Sequence, residues 1–259
     1  MTTRYKTRAF VFKKNDVNES DRIFSAFTDD FGRLDIFAKA IRKTVSKLRS
    51  GIDVFFLSDI EFIQGKNRKT LTDSAIIEKF NNIPQDIEKF KIANKIGEVL
   101  DNFIKGEEKD KDIFNLINET FAKLNDYTLT PKPYTLIYHY FLWNILSLLG
   151  YHSAVQRCAV CQEKLNPYNV YFSSKEGGVI CKKCLSKDNF AIKINSDIVK
   201  VLRIILKKEW QILSKLKIEP ASQKLFQKIS DDYYSYILSS HSFKNVLSVD
   251  VLSGGGIIR

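Results

Sequence analysis

The chain has 259 residues, 44% of them hydrophobic and 27% charged, a balance that supports a sizeable core in one large domain or two to three small ones. No apolar run approaches the roughly 20 residues that span a bilayer, and the basic start, MTTRYKTRAFVFKKND, alternates polar and apolar residues where a signal peptide would be continuously apolar, so no membrane span and a cytoplasmic location are expected. The net charge of +11 points to a polyanionic partner, nucleic acid first and an anionic lipid surface second, with plain solubility as the bland alternative.

Residues 5–80 read as five short strands, at 9–12, 22–28, 33–40, 53–64 and 69–78. They are rich in Phe, Ile and Val and are separated by KKNDVNESD, DDFG and QGKNRK. That spacing predicts a small barrel, of OB-fold or SH3-like type. TDDFGRLDIF reads as a hairpin in which Gly32 supplies the positive φ of a tight turn. The aromatics Tyr5, Phe10, Phe12, Phe24, Phe27, Phe37, Phe55, Phe56 and Phe62 would stack bases if they faced outward, but most are expected to fill the barrel.

After Pro84 the apolar period becomes helical, over 85–105 and again over 113–124. Residues 130–133 break the chain. YTLIYHYFLWNILSLL, at 134–149, is apolar nearly all round and predicts the central helix of a bundle, closed by Gly150. Helices return at 196–208, capped by Asn195 or Ser196, and at 221–239, with Pro220 near the start. SGGGIIR reads as a flexible end. The basic charge is divided between the two ends: residues 1–80 carry +5, 81–150 carry −2 and 151–259 carry +8. This argues for modules with different surfaces.

All four cysteines lie in CAVCQEKLNPYNVYFSSKEGGVICKKC, as Cys158, Cys161, Cys181 and Cys184. Two Cys-x-x-Cys turns can close a tetrahedral four-thiolate shell, and the gap between them suits a zinc ribbon or knuckle with a hairpin between its turns. A structural Zn2+ is the favoured reading. An iron–sulfur cluster, redox use and no metal stand as alternatives. A four-thiolate shell leaves no open position for catalysis. His152 is near enough to replace a cysteine, though it more simply follows the helix; His139 is expected to pack in its helix and His241 to lie in the tail.

KAIRKTVSKLRSG places Lys39, Arg42, Lys43, Lys47 and Arg49 together without an acid, and Lys66, Arg68 and Lys69 form a second cluster. On a barrel such clusters can neutralise phosphates, against the bland reading of a solvated loop. No HExxH, phosphate loop or GxSxG motif occurs, so a non-enzymatic protein is expected. Acid pairs such as Asp29–Asp30 and Asp231–Asp232 keep a metal-dependent nuclease among the alternatives.

FKKNDVNESDRIFSAFTDDFGRLDIFAKAIRK, with its Glu19–Arg22 stretch and Phe-Gly turn, and FLWNILSLLGYHSAVQRCAVC with YFSSKEGGVICKKC resemble the RecO family of bacterial recombination mediators. One position departs: the family usually has Lys-Gly-Ala-Arg where this chain has Lys39-Ala40-Ile41-Arg42. The resemblance implies an α+β multidomain fold. An N-terminal OB-fold domain at 1–80 would be followed by an all-α helical domain at 81–259 that carries a four-cysteine zinc knuckle inserted at 152–190.

It further implies binding of single- and double-stranded DNA, strand annealing, and loading of RecA onto strands coated by the single-strand-binding protein SSB. RecR and the SSB C-terminal tail would be partners, with RecF and RecA-coated filaments as further ones, in a cytoplasmic, nucleoid-associated setting. Carried over by position, Lys39, Arg42, Lys43, Lys47 and Arg49 would contact DNA and the four cysteines would hold zinc. The basic helix with Lys200, Arg203, Lys207 and Lys208 has the character to take an acidic tail with apolar anchors, and reads equally as an ordinary amphipathic helix with a solvated basic face. The competing class is a zinc-ribbon OB-fold protein acting on RNA or in transcription.

Overall fold

A computed structural model describes residues 3–126, 134–151, 153–166 and 168–250, with side chains described to residue 240. Two compact units divide the chain, 1–145 and 146–259.

The first unit opens with five strands: β1 (Arg4–Asp16), β2 (Arg22–Thr28), β3 (Gly32–Ala38), β4 (Leu57–Gln64) and β5 (Lys69–Glu78). They close into a barrel of order β1-β2-β3-β5-β4. Every neighbouring pair is antiparallel except β3 with β5. This Greek-key closure is that of an OB-fold and sets the SH3-like reading aside. Strand β1 outruns its predicted span at both ends: Arg4–Arg8 pair regularly with β4, and beyond Phe12 a bulge between Val11 and Lys13 breaks the alternation that marks a strand. Gly32 turns the β2–β3 hairpin at φ +64°, and a side chain there would strike the carbonyl of Glu108.

Alternation fills the barrel with Ala9, Val11, Phe24, Ala26, Leu34, Ile36, Ile60 and Phe62. Phe10, Phe12 and Phe27 belong to the opposite face yet are also buried. Helices α1 (Ile87–Phe103) and α2 (Lys111–Asn125) explain this. The Phe121 ring of α2 lies 4.4 Å from that of Phe10, and Gly97 of α1 lets the helix approach the Phe12 carbonyl. Each such Phe contributes roughly 1.5–3 kcal/mol by burial.

Asp86 and Asp110 cap the two helices by accepting from the N–H groups two and three residues on. Buried Lys89 donates to the carbonyls of Asn125 and Asp126, where the end of α2 favours a cation. Helix α3 (Tyr134–Leu148) follows. Tyr134 donates to Asp86 and Tyr140 to Glu119, which tie α3 to α1 and α2.

In the second unit Gly150, at φ +91°, closes α3, and the Tyr151 N–H donates back to Leu146. The expected hairpin forms as β6 (Val170–Ser173) and β7 (Gly178–Cys181). A third strand, β8 (Ile192–Ile194), joins β6, so the helical unit carries a small sheet that the pattern did not predict. Helix α4 (Ser196–Leu206) is capped by the Asn195 side chain. Short α5 (Trp210–Leu213) was also unforeseen, and α6 (Pro220–Asp250) begins at the expected proline. The predicted break at 130–133, His152, the His241 side chain and the SGGGIIR end fall outside the described residues.

Candidate nucleic-acid interface and metal centre

The segment from β3 to β4 explains how a basic loop stays in place. Ile41 and Ile52 are each only 2% exposed and join the barrel core, with Leu48 and Val54 packed beside them. Arg42, Lys43, Lys47 and Arg49 between these anchors, and Lys39 just before the first, are all exposed. The strap is also pinned by hydrogen bonds. The Asp21 carboxylate accepts from the Ala40 N–H at 2.7 Å, the Arg42 N–H donates to the Ser20 carbonyl, and Ser74 donates to the Leu48 carbonyl. This gives the Glu19–Arg22 stretch a physical role: Asp21 holds the loop, and the Ala40 N–H, first among its partners, draws its carboxyl below the usual range.

Ala40 itself sits at φ +53°. It takes the left-handed conformation a glycine would adopt without strain, so the departure at this position leaves the tight bend intact at an energetic cost.

Two cations that sequence reasoning missed stand beside this loop. Lys14 and Arg22 line a cleft of about 410 Å3 with Arg42, Arg49, Ile41 and Ile52. Arg22 and Arg42 share Asp16, at 2.7 and 3.5 Å, while Lys14 pairs with Asp53 at 2.6 Å. Their grouping depends on the β1–β2 pairing, in which Asp16 faces Arg22. Nothing local in the sequence flags either residue as part of this group.

The second predicted cluster is divided. Lys66 is exposed in the β4–β5 turn. The Arg68 guanidinium covers the Phe37 ring at 3.8 Å, which removes that aromatic from the surface. Lys69 is largely buried and paired with Glu107. Among the described barrel residues no aromatic is widely exposed; the large apolar side chain at the loop tip is Val45, 85% exposed.

In the second unit the four sulfurs of Cys158, Cys161, Cys181 and Cys184 all lie within 4.8 Å of one another, and the thiols are not joined as disulfides. The Cys161 and Cys181 sulfurs are 3.8 Å apart, which matches the edge of about 3.8 Å expected for a tetrahedron with Zn–S near 2.3 Å. The first turn is shaped by the Gln162 N–H donating to the Cys158 carbonyl. The second is brought against it by Gly178, where a Cβ would lie 2.5 Å from the Ala154 carbonyl oxygen. That contact accounts for one glycine of the Gly-Gly pair.

Burial opposes ionisation of Cys158, but the N–H groups of Cys161, Cys181 and Val160 bring its thiol down to about 6. Burial and the neighbouring sulfurs push Cys184 up to about 12. Four thiols this close ionise together only around a cation, so the donor set is compatible with zinc.

A closed Greek-key barrel with a cationic strap, followed by a helical unit with a four-thiol knuckle, defines a two-part protein built on a basic OB-fold. A family model described as recombination protein O N terminal matches residues 1–80, and one described as recombination protein O C terminal matches 84–245. A DNA repair protein RecO from Dehalococcoides mccartyi is 34% identical over 83% of this chain and 83% of its own. Another, from Caldanaerobacter subterraneus subsp. tengcongensis, is 28% identical over 88% of this chain and 90% of its own. A third, from Listeria monocytogenes serotype 4b, is 28% identical over 88% of each. The chain belongs to the RecO family.

Proposed function

We propose that this chain is a non-enzymatic DNA repair mediator that binds single- and double-stranded DNA, anneals complementary strands and helps load RecA onto SSB-coated strands. The observation that carries this reading is the strap of Lys39, Arg42, Lys43, Lys47 and Arg49, exposed to solvent and anchored at both ends in an OB-fold. Annealing requires a surface that offsets the repulsion of two polyanions without gripping either, and cations with little base readout meet that need. Lys66 and Arg68 extend the contact, with Lys69 available only on release from Glu107.

In this reading residues 1–80 form the OB-fold nucleic-acid-binding domain, and 81–259 form a helical domain with the zinc segment inserted at 152–190. Cys158, Cys161, Cys181 and Cys184 hold a structural Zn2+, which braces a loop-rich knuckle. RecR, the SSB tail and, more distantly, RecF and RecA filaments are the partners, in a cytoplasmic, nucleoid-associated setting. A cleft of about 410 Å3 lined by Val155, Arg157, Arg203, Leu206 and Lys207 suits the acidic, apolar SSB tail.

The test is annealing of SSB-coated complementary strands, with tailless SSB as control. Wild type should anneal coated strands and lose most of that activity when the tail is absent. The triple variant Arg42→Ala, Lys43→Ala, Lys47→Ala should bind a single strand more weakly, with a salt slope shallower by about two. An unchanged slope would remove the strap from the interface. A strong preference for structured RNA at fixed salt would support the transcription or RNA class instead.

A further inference from the structure

A second cleft of about 520 Å3 adjoins the cationic one, and Lys14 and Asp53 line both. We propose that the two form one groove for single-stranded nucleic acid, with phosphates held in the cationic cleft and one nucleobase stacked on the aromatic side chains of the second. This inference rests on the DNA-binding reading above and adds to it a site for the base.

The floor of the second cleft is made by Phe55 and Phe80, which are 6% and 1% exposed, and its wall by Phe90, which is 41% exposed. An aromatic so open on the first turn of a helix is not needed to fill a core. Phe56 is half-buried, and the Lys79 ammonium lies 5.7 Å from its ring. Lys13, Lys14 and Lys79 therefore rim an aromatic surface. That volume falls within the range of about 300–1,000 Å3 typical of small-molecule sites.

The floor is fixed in place. Phe55 adopts φ +62°, which a bulky residue holds only when its surroundings require it. The requirement is visible: the Phe55 N–H donates to the Val11 carbonyl at 2.7 Å, and the Val11 N–H donates to the Phe56 carbonyl at 3.1 Å. On the other side of the shared Lys14 stand Arg22, Arg42 and Arg49, opposed by Asp16 and Asp53. Aromatic faces beside a row of cations are the combination by which single strands are held regardless of sequence. An acidic peptide with an apolar residue is the other class that such chemistry accepts, and it serves as a competitor below.

The experiment compares the full-length protein on a thymidine oligomer and on an abasic oligomer of equal length and charge, at low salt. The expected result is about tenfold tighter binding of the base-bearing strand. Phe90→Ala should abolish that difference while leaving abasic binding unchanged. Asn94→Trp, which fills the cleft from an exposed position, should do the same and guards against misfolding of the first variant. Equal wild-type affinity for the two oligomers overturns the base site and leaves the DNA-binding reading standing. Binding to neither overturns both. Retention of the difference in both variants, or displacement of the base by an acidic apolar peptide more readily than by free oligomer, also overturns it.

Discussion

His139 makes a pH-dependent contribution to stability whose size follows from its position. It lies in α3, only 3% exposed, and burial, reinforced by the nearby Lys95 ammonium, lowers its pKa from 6.5 to about 3. The folded protein therefore keeps this imidazole neutral while the unfolded chain takes up a proton as pH falls below 6.5. The stability at stake is fully present above that value and is lost progressively down to about pH 3. Between pH 7 and pH 5 the loss works out at about 2 kcal/mol, from 1.36 kcal/mol per unit.

The assay is urea unfolding at both pH values, followed through Trp143, which is buried one turn further along the same helix. His139→Phe should remove about 2 kcal/mol of the difference between the two pH values, whatever it does to absolute stability. Protonation of the cysteine ligands or of surface carboxylates affects both proteins alike and cancels. A variant with the same pH loss as wild type would refute the argument.

Two further outcomes are expected. Ala40→Gly should raise the urea midpoint, because about 1–2 kcal/mol of left-handed strain is relieved against a smaller entropic cost of glycine, for a net gain of about 0.5–1 kcal/mol; a lower midpoint would show that the bend is not strained. Cys158→Ser should reduce bound zinc, measured by a colorimetric chelator, and speed proteolysis of the knuckle while the barrel stays protected. Equal stability of wild type with and without a strong chelator would remove the metal from the account.

The parts of the fold that were legible are those written in local pattern. Strands β2 and β5 fall where alternation places them, the Gly32 hairpin forms, and Asn195 and Pro220 begin their helices. The four-cysteine cluster was legible because two tight Cys-x-x-Cys turns need little else to converge. What was hidden depends on distant partners. Phe10 and Phe12 resemble core residues, and nothing in their neighbourhood tells that α1 and α2 cover them from outside. Lys69 reads as one member of a basic cluster because its partner, Glu107, is 38 residues away. Lys14 and Arg22 become part of a cationic cleft only when β1 and β2 pair. Strand β8 has three residues, too few to show a period.

Under the proposed function, the anchoring of the strap by Ile41 and Ile52 sets how an incoming strand would be held. The backbone that carries its positive groups is set before any polymer arrives, so capture would spend little on ordering the loop and residence would be governed mainly by the ionic atmosphere. Such a surface can let go as readily as it takes hold, which is what a go-between for two strands requires.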